Sequence, residues 1–177
     1  MISPVVISDY SPQWPVLYEE EKVKILEVIG QRVVEIQHIG STAVPGLGAK
    51  PIIDIMVGVR QLADAEGCIK PLQSIGYEYV PEHEASIPER RYFRKGPVNA
   101  HRHLHMVEVS GDFWERHLLF RDFLRTHPEV ADEYLALKKG LAVKYGTERE
   151  RYTDAKTSFI EQVVERARTE NTTDSKG

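Results

Sequence analysis

HIGSTAVPGLGAKPIIDIMV, residues 38–57, sets a Gly-Ser step at the end of one apolar run and a single aspartate inside the next. Upstream, VVEIQHI (33–39) is rich in β-branched residues and reads as a strand. Downstream, PIIDIMVGV (51–59) is almost wholly apolar, as expected of a central strand covered on both faces. Between them, a glycine followed by a small hydroxyl lets backbone N–H groups converge on an anion, with Ser41 as a further donor. Lys50, just before the second strand, offers a cation to a triphosphate or carboxylate. The alternative is a turn in which Gly40, Pro45, Gly46 and Gly48 only satisfy loop geometry. The spacing matches neither GxxxxGK[ST] nor GxGxxG.

Asp54 is the more informative residue. Strand alternation puts it on the face of Ile52 and Met56, where a carboxylate costs desolvation energy unless something pairs with it. The partner can be a metal ion, a backbone donor, or a lysine or arginine; a structural ion pair with Lys50 is the plainer reading. In HRHLHMVE (101–108), His101, His103 and His105 share one strand face. Two imidazoles at this spacing, with Asp54 from a neighbouring strand, are adequate ligands for a divalent metal such as zinc or manganese. His38, ending the first strand, is a further candidate. No HExxH or CxxC motif accompanies them, and structural hydrogen bonding is the competing role.

Arg90, Arg91, Arg94 and Arg102 cluster around Tyr92 and Phe93. They read as an anion-binding wall, as a stacking surface for nucleic acid, or as a solvated hairpin face. In YTDAK, Tyr152 and Lys156 stand one helical turn apart. That Tyr-x-x-x-Lys spacing also occurs in short-chain reductases, but no GxGxxG precedes it.

Nearer the start of the chain, Ser11-Pro12 opens a helix whose apolar stripe is Trp14, Leu17, Tyr18, Ile25 and Ile29, ending at Gly30. A second helix is predicted over 61–75 with Gly76 after it, then a short strand at YEYV. RRYFRK (90–95) and HRHLHMVEV (101–109) flank GPVNA as a hairpin. Three helices follow: DFWERHLLFRDFLRTH, stopped by Pro128, then EVADEYLALKKGLAVKY, then TDAKTSFIEQVVERA. Segregated strands and helices argue for an α+β fold: a mixed sheet with an N-terminal helix and a C-terminal run of three helices.

The 177 residues suit one domain, read as 1–170, with 171–177 as a polar flexible tail. A net charge of −4 argues against nucleic acid or anionic membrane as a partner of the whole chain. No apolar run approaches the roughly 18–20 residues that span a bilayer, and the start of the chain lacks the pattern of a signal peptide. One cysteine excludes an internal disulfide, and a cytoplasmic setting is expected. A homodimer or protein partner stays open.

Together, SPQWP, HIGSTAVPGLGAKPIIDIMV, the HLH strand, FRDFLR, YLALKKGLA and YTDAK resemble the GrpB family of the nucleotidyltransferase-like superfamily, over nearly the whole chain. A related domain is found attached to dephospho-CoA kinase, where it looks like an accessory. The resemblance implies a Gly-Ser step that grips a nucleoside triphosphate, matched by Gly40 and Ser41, with Lys50, Arg91 and Lys156 around it. It implies acids that hold divalent metal (Mg, Mn or Zn): Asp54 matches the first, with His103 and His105 as further ligands. The second acid's position is Met56, and histidines occupy the strand expected to carry the third. Two-metal nucleotidyl transfer needs several carboxylates. The implied function is therefore either nucleotidyl transfer to a small molecule or protein, or a non-catalytic ligand-binding or accessory module on the same scaffold.

Overall fold

The computed structural model describes residues 5–97 and 101–174, which leaves most of the GPVNA turn outside the described residues. Its five strands are β1 (Glu35–Ile39), β2 (Ile53–Val59), β3 (Glu78–Tyr79), β4 (Arg90–Lys95) and β5 (Arg102–Glu108). They form one sheet in the order β1-β2-β5-β4-β3, parallel only between β2 and β5. This mixed sheet and its segregated helices confirm the α+β reading. β2 is buried along nearly its whole length, its residues shared between core clusters on the two faces of the sheet, which explains its nearly unbroken apolar run.

Strand alternation divides the sheet into two chemically different faces. One carries Ile53, Ile55, Val57, Leu104, Met106 and Phe93 and forms the main core with α1 (Gln13–Ile29). In α1 the buried stripe is Trp14, Tyr18, Glu21, Ile25 and Ile29, spaced every three or four residues. Glu21 was not readable as a stripe member; its charge is answered by Lys95 at 2.7 Å and Arg102 at 3.7 Å. Gln13 N donates to Ser11 Oγ at 3.3 Å, the expected start signal.

The other face carries Ile39, Asp54, Met56, His103, His105, Tyr92 and Arg90. Phe113 and Trp114 of α3 (Asp112–Thr126) cover its inner part. Gly58 makes room for them: a Cβ there would lie 2.8 Å from Trp114 and 2.3 Å from Val109. The helices α3, α4 (Pro128–Tyr145) and α6 (Thr157–Asp174) close on the 38–50 loop through Val44, Leu47, Phe123, Leu124, Tyr134 and Val163.

Three helical expectations are corrected. The 61–75 segment is a 3₁₀ stretch, Leu62–Cys68, followed by the short α2, Ile69–Ser74; Gly67 and Pro71 both weaken a continuous α-helix. Pro128 does stop the first of the three helices: α3 ends at Thr126, His127 ahead of the proline is non-helical, and Pro128 itself opens α4. The last of the three C-terminal helices is two, α5 (Arg149–Asp154) and α6, because Lys156 N bonds Thr153 O and tightens the turn between them. The tail read as 171–177 is helical through Asp174, with the Thr172 and Thr173 hydroxyls bonded to carbonyls one turn back.

Candidate functional site

The Gly40–Ser41 step joins β1 to a 3₁₀ turn, Ser41–Ala43. Gly40 has φ 74° and ψ −176°, a region essentially reserved for glycine. A Cβ on Gly40 would also stand 2.7 Å from Asp54 Oδ2. The backbone therefore lies against the carboxylate, and the two halves of the opening motif form one pocket.

The loop is held from below and behind. Thr42 Oγ1 donates to the Ile52 carbonyl at 2.9 Å, so it accepts from His38 Nε2–H at 3.0 Å. His38 stacks on Tyr18, with 4.7 Å between centroids, and burial pushes its imidazole down to about 4. It is a structural residue on the α1 side of the sheet, not a member of the site. Arg121 Nη1 donates to the His38 carbonyl at 3.0 Å, and Arg125 Nε to the Ala43 carbonyl at 2.9 Å. Lys138 Nζ donates to the Gly48 carbonyl at 2.6 Å.

The structure brings Asp54, His103 and His105 together. His105 Nε2 lies 3.1 Å from Asp54 Oδ1, and His103 Nδ1 lies 3.5 Å from the same oxygen. The buried guanidinium of Arg90, which can only donate, meets His105 Nδ1 at 3.3 Å. That contact makes Nδ1 the acceptor and fixes the proton on Nε2, where it is donated to Asp54. Burial opposes ionisation of Asp54, but the bonds from His103 and His105 outweigh it and hold the carboxyl well below the usual carboxylate range. Burial likewise lowers His105 against the pull of Asp54, so His105 stays neutral.

Beside this carboxylate stands a cluster of cations. Lys50 Nζ and Lys156 Nζ lie 4.1 Å and 4.5 Å from the centre of the Tyr152 ring. Lys138, 3% exposed, reaches Ser41 Oγ at 3.0 Å and lies over Tyr134 at 4.8 Å. Among the described residues none of these three lysines forms an ion pair; Asp54 acts on Lys50 and Lys156 only from a distance. Burial and mutual repulsion push Lys50 down to about 8 and Lys138 to about 7, and burial lowers Lys156. Such a cluster is suited to an anion carrying several charges.

Of the residues predicted from sequence, Gly40, Ser41, Lys50, Asp54, His103, His105 and Lys156 converge on this cleft. Arg91 does not. It opposes Met106 on the α1 face, bonds the Pro88 carbonyl and pairs with Glu84 at 3.5 Å. Strand parity gives its place to Arg90. Arg90 was read only as one of four clustered arginines and Lys138 went unassigned; the signal for Lys138 was its position in the stripe Val130, Ala131, Tyr134, Lys138 of α4.

The expected metal finds a poor fit. Among the described residues no group of three or more His, Cys, Asp and Glu side chains is arranged to hold an ion. Among the described residues Asp54 is the carboxylate paired with these histidines, Met56 fills the second acid's place, and His105 presents Asp54 with N–H rather than a lone pair. This donor set cannot balance two divalent cations.

The sequence profile described as GrpB protein matches residues 4–166. The chain belongs to the GrpB family. It is 38% identical over 165 residues to the glutamate-rich protein GrpB of Alkalihalophilus pseudofirmus, covering 90% of this chain and 94% of that one. It is 39% identical over 159 residues to the UPF0157 protein YqkA of Bacillus subtilis, covering 90% of this chain but only 46% of YqkA. The fold is similar to the crystal structure of GrpB from Enterococcus faecalis, with a TM-score of 0.85 and 34% identity over 94% of this chain and 99% of that one. A dephospho-CoA kinase of Mycolicibacterium paratuberculosis is 27% identical over 188 residues, covering 93% of this chain and 46% of the kinase. No described helix of this GrpB-family chain is long and apolar enough to cross a membrane.

Proposed function

We propose that this GrpB-family chain binds a small molecule carrying a polyphosphate, a nucleoside triphosphate above all. The phosphates occupy the space between Ser41 and the side chains of Lys50, Lys138 and Lys156. The observation that carries this reading is the convergence of the three lysines, none ion-paired among the described residues, beside one glycine-serine step. A buried cation without a counter-ion is unfavourable in the free protein, and an incoming phosphate removes that penalty. Asp54, side-chain exposure 26%, is open enough to meet the ligand and repels any anion that strays from the lysines toward the histidines.

Binding without nucleotidyl transfer is the favoured form of this reading, because one carboxylate with both imidazoles directed at it does not provide two-metal chemistry. Metal-dependent transfer to a small molecule or protein is the second reading. It uses the same phosphate site and is favoured by the contact between Gly40 and Asp54. Titration of the protein with nucleoside triphosphates, with and without Mn²⁺, tests both. The favoured reading predicts binding that Lys50→Met and Lys156→Met weaken whether or not metal is present. Binding that vanishes without Mn²⁺ and in Asp54→Asn supports transfer, and no heat with any nucleotide refutes both.

A further inference from the structure

Lys138 is placed unlike the other two lysines of the cleft. It comes from the middle of α4, is 3% exposed, and has both hydrogen bonds directed at the loop: Ser41 Oγ at 3.0 Å and the Gly48 carbonyl at 2.6 Å. The groups facing it are the Tyr134 ring on its own helix, Lys50 ahead of β2 and Lys156 between α5 and α6. The two lysines are positive and the tyrosine is uncharged, so every charge acting on it disfavours the ammonium form.

We propose that Lys138 completes the phosphate site and takes up a proton as the polyphosphate ligand binds. The inference rests on the phosphate reading above and adds to it which group responds. In the free protein Lys138 is largely the neutral amine above pH 7, as burial and its two cationic neighbours require. Polyphosphate at Ser41 replaces a repulsive field by an attractive one, and the amine becomes an ammonium in place. Neither bond to the loop needs to break, because an ammonium has three N–H groups for two acceptors. The ligand class follows from the charge count. Three ammonium groups are matched by a tri- or tetra-anion and left in excess by a monophosphate, so tripolyphosphate and nucleoside triphosphates bind more tightly than monophosphates.

The test is calorimetric titration with ATP at pH 8.5, where its triphosphate is essentially fully ionised, in buffers of different ionisation enthalpy. The slope of observed heat against buffer enthalpy counts the protons taken up. The expected slope for wild type is at least about one proton, with Lys50 adding a fraction. Lys138→Met, close in volume and uncharged, should still fold although the Gly48 carbonyl loses its donor, bind at least tenfold more weakly and lose about one proton from the slope. Lys138→Arg, already charged, should lose the same proton while keeping more of the affinity. Binding whose slope is the same in wild type and both variants, or Lys138→Met binding as tightly as wild type, overturns the proposal and leaves the phosphate site standing. A wild-type protein that binds neither tripolyphosphate nor a nucleotide overturns the phosphate reading itself.

Discussion

Replacing Gly40 by alanine probes the join between the Gly-Ser step and Asp54. The substitution is penalised twice. Its backbone, at φ 74° and ψ −176°, is one that residues with a Cβ occupy at a cost of about 1–3 kcal/mol. Its methyl group would stand 2.7 Å from Asp54 Oδ2 and 3.3 Å from Asp54 Cβ and Cγ. The carboxylate must then withdraw from His105, now 3.1 Å away, and a hydrogen bond to a charged group is worth about 1.5–3 kcal/mol. Gly40→Ala is therefore expected to cost about 3–5 kcal/mol, or roughly 6–20 °C in melting temperature for a domain of this size. Urea unfolding followed by the fluorescence of Trp14 and Trp114 measures it. In an Asp54→Ala background, where Oδ2 and Cγ are gone, the same change should cost only the backbone share, about 1–3 kcal/mol. Equal costs in the two backgrounds, or a Gly40→Ala protein within about 0.5 kcal/mol of wild type, would refute the coupling.

Three further outcomes are expected. Native His38 refuses a proton until about pH 4, whereas an ordinary histidine accepts one near 6.5, so stability falls as pH drops through that window. The loss is about 3 kcal/mol, and His38→Gln should flatten this part of the stability–pH curve. Arg121→Ala removes a buried donor to the His38 carbonyl and should cost about 2–3 kcal/mol; weakened phosphate binding in a variant that still folds would show that the loop's anchoring matters to the site. Arg90→Met frees Nδ1 of His105 from its donor. With that positive neighbour gone and Asp54 still accepting from Nε2, His105 should take up a second proton at higher pH than in wild type, seen as imidazolium in its ring-nitrogen NMR signals; a titration unchanged from wild type would refute the role given to Arg90.

What the sequence made legible was short-range. The apolar run around Asp54 predicts its strand because burial on both faces leaves little choice of residue, and β2 does lie inside the sheet. Gly40, Ser41 and Asp54 are brought together by the antiparallel pairing of Ile39 with Asp54, a contact made across one loop. Arg91 was misplaced because the face of a hairpin residue depends on register, which the residue types at 90–95 do not reveal; once Tyr92 opposes His105, Arg90 and not Arg91 shares their face. Lys138 was missed because a lysine in an amphipathic helix is normally solvated. Its spacing from Tyr134 places it on the buried stripe, but only the docking of α4 against Gly48 gives that stripe a polar partner. Lys156 was found on the assumption that it continues the helix of Tyr152. In fact it stands at a helix break, and reaches the Tyr152 ring from there.

Polyphosphate lodged between Ser41 and the three lysines would be seen in a crystal structure of the protein soaked with a nucleoside triphosphate and Mn²⁺. Phosphate density is expected within hydrogen-bonding distance of Ser41 Oγ and the amines of Lys50, Lys138 and Lys156, with His105 still bonded to Asp54. Phosphates bound elsewhere while this cleft holds only water would contradict that placement.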